Sequence, residues 1–189
     1  GGKALAIAAC MRNEGRLVLH DIDPARLRRA EERMQRAGVN IHENQSLTET
    51  LNSENTAHEL NYDIVIIDAP CSGSGTWRRN PEAKWRLNEE RLHEHTMQQH
   101  GLLKTGANAV RPGGRLVYMT CSILAAENRD RIDEFLAMDG ADFELIAPGK
   151  DWRRVTGQEL DPVGADLQLT PARHGTDGFY VAILRRRVG

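Results

Sequence analysis

Residues 62–70, YDIVIIDAP, limit the fold of this chain more than any other stretch. Ile64, Val65, Ile66 and Ile67 are consecutive β-branched residues, and such a run without polar alternation suits a parallel strand buried on both faces. A similar run, GRLVYMT, occupies residues 114–120, and a helical pattern over about residues 88–111, ended by RPGG, separates the two. Parallel strands need a crossover of this kind.

The alternation extends in both directions. Residues 3–11 have the spacing of a helix, stopped by Asn13, Glu14 and Gly15, and RLVLHDID at 16–23 is a short strand ending in acids. Pro24 opens a second helix that Gly38 closes. VNIHE at 39–43 is a weak strand, and the polar residues 45–61 support a short helix or loop. After residue 120 come a helix over 125–138, a strand DFELI at 142–146 and a Pro/Gly-bearing excursion over 147–172. GFYVAILRRR at 178–187 is the last strand, expected to run antiparallel to its partner. The expected fold class is α/β, a doubly wound sheet.

With 189 residues the chain suits one domain with a real core. No apolar run approaches the ~18 residues of a membrane span, and no signal peptide opens the sequence. A net charge of −2 argues against binding nucleic acid by bulk electrostatics but leaves room for a local basic patch. Cys10, Cys71 and Cys121 have no CxxC spacing, so neither a disulfide framework nor a metal site is expected. A cytoplasmic monomer with no membrane or metal partner is the expectation.

The chemically able residues fall at the carboxyl ends of expected strands, where open α/β sheets bind ligands. Gly1 and Gly2 open a helix, as a glycine loop after a strand does. Asp21 ends the next strand, where an acid commonly takes the hydroxyls of a nucleoside ribose. The bland alternative is a helix cap, but Asp23 before Pro24 suits that task better. Asp68 ends YDIVIID, where burial would demand a partner for its carboxylate.

Cys71 and Cys121 follow their strands directly, each beside a serine. Most cysteines are inert core filler, and Cys10, inside an apolar helix, is expected to be one. A reactive thiol needs help to ionise. Around Cys71 the backbone N–H groups of SGSG and the charge of Arg78 or Arg79 are candidates. TWRRNPEAKWR sets Arg78, Arg79, Lys84 and Arg86 among Trp77 and Trp85, a pattern for phosphate contacts and base stacking. A surface loop with inward-packed tryptophans explains it equally well. His93 and His95, two residues apart, point to different helical faces, and with His100 they are expected to be solvated and suggest no metal.

GGK, DIDPARL, DAPCSGSGTWRRNP with KWR, PGGRLVYMTCS with Glu127-Asn128, and HGTDGFYVAIL together resemble the RNA cytosine-5 methyltransferases of the NOL/NOP/Sun family. The likeness is strongest to the bacterial 16S rRNA enzymes of that group, and it runs the length of the chain. It implies a class I, Rossmann-like sheet with S-adenosylmethionine as cofactor and RNA, with rRNA ahead of tRNA, as substrate. It implies that Cys121, in Thr-Cys, is the nucleophile, and that Cys71, in Pro-Cys, assists product release. Asp68 would meet the ring nitrogen at position 3 of a cytosine drawn out of its stack.

By the same likeness Gly1, Gly2 and Lys3 are the tail of a cofactor loop. Asp21 would hold the ribose, with Arg26, Asp68 and Pro70 completing the cofactor set. Arg78, Arg79, Lys84 and Arg86 would meet RNA. The family's aspartate after the third strand is missing, and Asn44 or Gln45 would substitute for it. The first strand, half of the cofactor loop and an N-terminal RNA-binding portion are expected to lie outside the sequence, leaving weak cofactor affinity. Two rival readings are an RNA-binding domain without catalysis and a cysteine hydrolase enlisting His174.

Overall fold

The computed structural model describes residues 1–40, 42–46, 61–148, 152–153 and 165–189. The chain divides into two compact units, Gly1–Ala57 and His58–Gly189.

In the first unit, helix α1 spans Gly2–Cys10, β1 Leu17–Asp21, α2 Pro24–Arg36 and β2 His42–Ser46. The turn after α1 uses left-handed backbone at Arg12, Asn13 and Gly15. Asn13 then fastens the chain beyond α2: its Nδ2 donates to the Gly38 carbonyl at 3.0 Å and its Oδ1 accepts from the Asn40 N–H at 3.1 Å. Asp23 caps α2 as expected, accepting from the Ala25 N–H at 2.8 Å. Ala8, Ala30 and Met34 are buried. Cys10 is exposed, which corrects its expected burial: it sits in the last turn of a helix whose inward position is Ala8.

β1 and β2 pair in parallel, Leu17 opposite His42 through Asp21 opposite Ser46. The weak strand therefore forms three residues later than VNIHE suggested, on HENQS. Pairing with β1, which apolar pattern does not report, sets its position. Asn44 and Gln45 lie on it. Of the polar stretch at 45–61, residues 47–60 lie outside the described residues.

The second unit carries β3 (Tyr62–Asp68), α3 (Glu82–Arg86), α4 (Glu89–Ala109), β4 (Val110–Thr120) and α5 (Arg129–Met138). It continues with β5 (Phe143–Leu145), β6 (Leu167–Leu169), α6 (Pro171–His174) and β7 (Phe179–Arg186). The sheet order is β3-β4-β7-β5, with β6 also on β7. β3 and β4 are parallel, whereas β7 is antiparallel to β4, β5 and β6. Ile67, Leu103, Leu116, Phe135 and Leu184 belong to the core cluster of this unit.

β3 departs from expectation. Ile64 and Ile66 are 53% and 39% exposed, while Ile67 is buried and Val65 packs on the core. Helix α4 covers the Ile67 face, where Gly106 comes against the Ile67 side chain, so the two faces differ despite their uniform apolar sequence.

RPGG does not separate α4 from β4. Tyr62 opposes Val110 and Ile64 opposes Arg115, so these residues form an irregular bulge within the strand. The helix expected over 125–138 is broken. A 3₁₀ turn, Ala125–Glu127, precedes α5, and Asn128 between them has φ −118° and ψ −102°. The excursion at 147–172 contains β6, too short to announce itself, and residues 149–151 and 154–164 of it lie outside the described residues. No helix among the described residues is long and apolar enough to cross a membrane.

Candidate active site

Because β3 and β4 run in parallel, their carboxyl ends share one edge, and Asp68 lies opposite Met119. The Ala69 N–H donates to the Met119 carbonyl at 2.9 Å and carries the pairing one residue beyond β3. Two residues later comes Cys71, and β4 releases its chain at Cys121. The two sulfurs lie 3.4 Å apart, within hydrogen-bonding distance. Both thiols are partly accessible.

The loop after Cys71 turns on Gly73, at φ +66°, and continues into the 3₁₀ turn Ser74–Thr76. The Gly75 N–H donates to the Cys121 carbonyl at 2.9 Å, and the Gly178 N–H donates to the Gly75 carbonyl at 2.9 Å. A Cβ on Gly75 would stand 2.2 Å from the Gly178 carbonyl oxygen. Glycine is needed at this crossing because the two backbones touch. HGTDGF before β7 and SGSG after β3 are thus one piece of packing.

Beneath the thiols lies Glu127, fully buried. Its Oε1 accepts from the Ser72 N–H at 2.7 Å and from Gln99 Nε2 at 3.3 Å. Its Oε2 accepts from the Ser72 and Ser122 hydroxyls, each at 2.5 Å. Ser122 has spent its proton on Glu127, so Ser74 Oγ, 2.9 Å away, donates to Ser122 Oγ. Asn128 works alongside: its Oδ1 accepts from the Thr120 hydroxyl at 2.6 Å, and its Nδ2 donates to the Ser122 carbonyl at 2.9 Å. The Tyr118 hydroxyl donates to the Glu127 carbonyl at 2.7 Å and secures the break before α5.

Cys71 has its pKa pushed up, first by its hydrogen bond to Cys121, then by burial and by the charge a Cys121 thiolate would carry. The Gly73 and Cys121 N–H groups pull the other way and do not overcome this. The expectation that SGSG and its arginines would activate Cys71 is thereby corrected. The Ser72, Ser74 and Gly75 N–H groups are committed to Glu127, Ser72 Oγ and the Cys121 carbonyl. Arg78 and Arg79 both reach Asp177, at 3.5 and 2.5 Å. Two thiols in contact favour a single shared negative charge.

Asp68 is exposed rather than buried, because it stands at the open carboxyl end of β3. Pro70 is also exposed, and its carbonyl accepts from Gln99 Nε2 at 2.8 Å. In the basic run, Arg86 pairs with Glu82 at 2.8 Å. Lys84 lies over the rings of Trp77 and Trp85, at 6.0 and 5.6 Å. Trp77 is half-buried and Trp85 is 84% exposed, so one tryptophan packs inward and one outward. His174 accepts from the Thr170 N–H at 3.0 Å, within its own turn, and offers no support for a hydrolase.

The remaining sequence candidates belong to the first unit. Gly1 precedes α1, which has no side-chain cap at its N-terminus, and Gly2 faces open space where a Cβ would be. Lys3 is in the first turn of α1. Asp21 ends β1; its Oδ1 accepts from the Asp23 N–H at 2.9 Å, and its Oδ2 lies 3.9 Å from Arg26 Nη1. Sequence reasoning gave no role to Glu127, Asn128, Gln99 or the hydroxyl of Ser74. A Glu-Asn pair a few residues past a strand-end Thr-Cys-Ser was the available signal.

The family model for 16S rRNA methyltransferase RsmB/F matches residues 1–185. The chain is 33% identical over 186 residues to the probable ribosomal RNA small subunit methyltransferase B of Synechocystis, covering 98% of this chain and 41% of that protein. It is 33% identical over 188 residues to the ribosomal RNA small subunit methyltransferase F of Aeromonas hydrophila, covering 98% and 38%. The crystal structure of PH0851 superposes with a TM-score of 0.86 at 34% identity, over 98% of this chain and 40% of that one. The chain thus spans about two-fifths of the length of the curated relatives it matches.

Proposed function

The chain belongs to the RsmB/F family of 16S rRNA methyltransferases, and from that premise we propose that it methylates carbon 5 of a cytosine in small-subunit rRNA through a covalent cysteine–cytosine intermediate. Its fold is the α/β, Rossmann-like fold of class I methyltransferases. The observation that carries the reading is the contact of Cys71 and Cys121, 3.4 Å apart at the ends of two parallel strands.

S-adenosylmethionine supplies the methyl group, as a sulfonium that an electron-rich carbon can attack. The first unit offers its nucleoside an acid, Asp21, ending a parallel strand, and an uncapped, glycine-led helix start. Lys3 and Arg26 stand with these as proposed contacts.

Cys121, in Thr-Cys, is the nucleophile on the likeness to its family, and Cys71, 3.4 Å away, is placed to exchange a proton with it. Its thiolate adds to carbon 6 of the cytosine, and the ring electrons move to carbon 5. Asp68, exposed and able to meet a base, donates a proton or hydrogen bond at the ring nitrogen of position 3. Once carbon 5 carries the methyl, ring nitrogen 3 returns its proton to Asp68, solvent water takes the remaining carbon 5 proton, the freed electrons re-form the 5,6 double bond, and Cys121 leaves with the carbon–sulfur pair. Cys71, as a thiol in contact with Cys121, stabilises the departing thiolate by a hydrogen bond, and the single negative charge is again shared by the pair.

Arg78, Arg79, Lys84 and Arg86 hold the RNA backbone beside Trp85, with Asp177 and Glu82 as the acids that phosphates displace. The test uses purified protein, S-adenosylmethionine and unmethylated 16S rRNA on a denaturing gel. Cys71→Ala accumulates a protein–RNA adduct and Cys121→Ala forms none. Adduct formation by Cys121→Ala overturns the assignment of the nucleophile. Absence of both adduct and methylation with the unaltered protein favours a domain that binds RNA without catalysis.

A further inference from the structure

A buried carboxylate is costly unless its oxygens are fully engaged, and Glu127 is engaged in an unusual way. Three of its four hydrogen bonds come from serines that directly follow the two cysteines: Ser72 N–H, Ser72 Oγ and Ser122 Oγ. All four donors, Gln99 included, are neutral. The Ser72 hydroxyl also accepts from the Ser74 N–H, and the Ser122 hydroxyl from the Leu124 N–H, which leaves each hydroxyl proton directed at Oε2. Two contacts of 2.5 Å to one oxygen have the length of hydrogen bonds to an ionised acceptor.

We infer that Glu127 is the positioning residue of the thiol pair: one carboxylate, held between Ser72 and Ser122, sets the separation of Cys71 and Cys121. Neither cysteine is fixed by β3–β4 pairing alone. Cys71 stands three residues beyond β3, and Cys121 is the first residue after β4. Glu127 closes the span between the two loops from below, while Tyr118, on its backbone carbonyl, and Gln99, on Oε1, fix where it stands.

A carboxylate is required rather than an amide. In Glu127→Gln, an NH₂ replacing Oε1 would face the Ser72 N–H and the Gln99 amide, two donors. An NH₂ replacing Oε2 would have to donate to the two hydroxyls, at the ~2.9 Å of a neutral N–H···O bond. Either way the loops move apart. Because acid–base exchange between the thiols depends on their contact, the effect falls on turnover more than on RNA binding. This catalytic consequence rests on the two-thiol reading above; the positioning itself does not.

The experiment is run in a Cys10→Ser background, which removes the exposed third thiol. Dibromobimane, which fluoresces once both of its arms have alkylated neighbouring thiols, reads the contact directly by displacement of one bromide by each cysteine. Glu127→Gln and, separately, Ser122→Ala are compared with the parent for bridging, for kcat and KM with 16S rRNA, and for cooperative thermal melting. With Glu127→Gln the expected result is a fall in bridging, a kcat lower by about 10- to 100-fold and an unchanged KM. Ser122→Ala, which keeps Glu127 and its Ser72 contacts, falls in the same direction by less.

Bridging and kcat within twofold of the parent in a folded Glu127→Gln overturn the inference. Should Glu127→Gln fail to melt cooperatively, Ser122→Ala decides alone, and parental bridging in it overturns the inference. A parent that bridges but does not methylate removes the enzymatic reading and leaves the bridging comparison intact.

Discussion

At the residue scale Cys71 and Cys121 touch, so each alters the chemistry of the other. Since the hydrogen bond to Cys121 is the largest cause of the raised pKa of Cys71, removing that partner lowers it. The neutral thiol then loses its main support, while burial continues to favour it. In Cys121→Ala, alkylation of Cys71 therefore begins at lower pH than in the parent, yet above the ~8.5 of a free thiol. A rate–pH profile with iodoacetamide measures this, and an unshifted profile contradicts the coupling. The glycines make a second residue-scale case. Gly75→Ala places a Cβ 2.2 Å from the Gly178 carbonyl, which no rotamer relieves. The expected loss is about 1–3 kcal/mol in denaturant unfolding, with weaker dibromobimane bridging, since Gly75 holds the Cys121 carbonyl. Both thiols and the acid beside them were legible in the sequence because each follows an apolar run. Glu127 was not, because burial of a carboxylate depends on donors 5, 28 and 55 residues away.

Elements followed the sequence where local chemistry decides them. Pro24, with Asp23 before it and Gly38 after, specified α2, and Asp23→Ala is expected to cost about 1 kcal/mol in thermal unfolding of the first unit. β2 shifted by three residues because pairing with β1, not apolar pattern, locates a polar strand. β3 read as a strand covered on both faces, but Ile64 and Ile66 are exposed, since covering depends on neighbours that a strand's own residues do not record. The basic run illustrates both outcomes. Its charges were evident, whereas the pairing of Arg78 and Arg79 with Asp177, about a hundred residues on, was not. If the run holds RNA, Arg78→Ala and Arg79→Ala each lower the salt dependence of rRNA binding by about one unit of slope. Filter binding across a salt series reads this, and unchanged slopes remove the arginines from the interface.

Across the whole molecule, alternating strands and helices foretold an α/β sheet with an antiparallel last strand, and β7 against β4 and β5 bears this out. Family membership rests on a match over residues 1–185. The chemistry proposed for that family member turns on which sulfur meets the base, and peptide mapping answers this most directly. Cys71→Ala protein is incubated with S-adenosylmethionine and unmethylated 16S rRNA, the adduct is digested with nuclease and protease, and the modified peptide is sequenced by mass spectrometry. The expected product is a methylated cytidine residue on the peptide bearing Cys121. Nucleotide on any other residue, or a trapped base on the peptide of Cys71 in the Cys121→Ala variant, contradicts it.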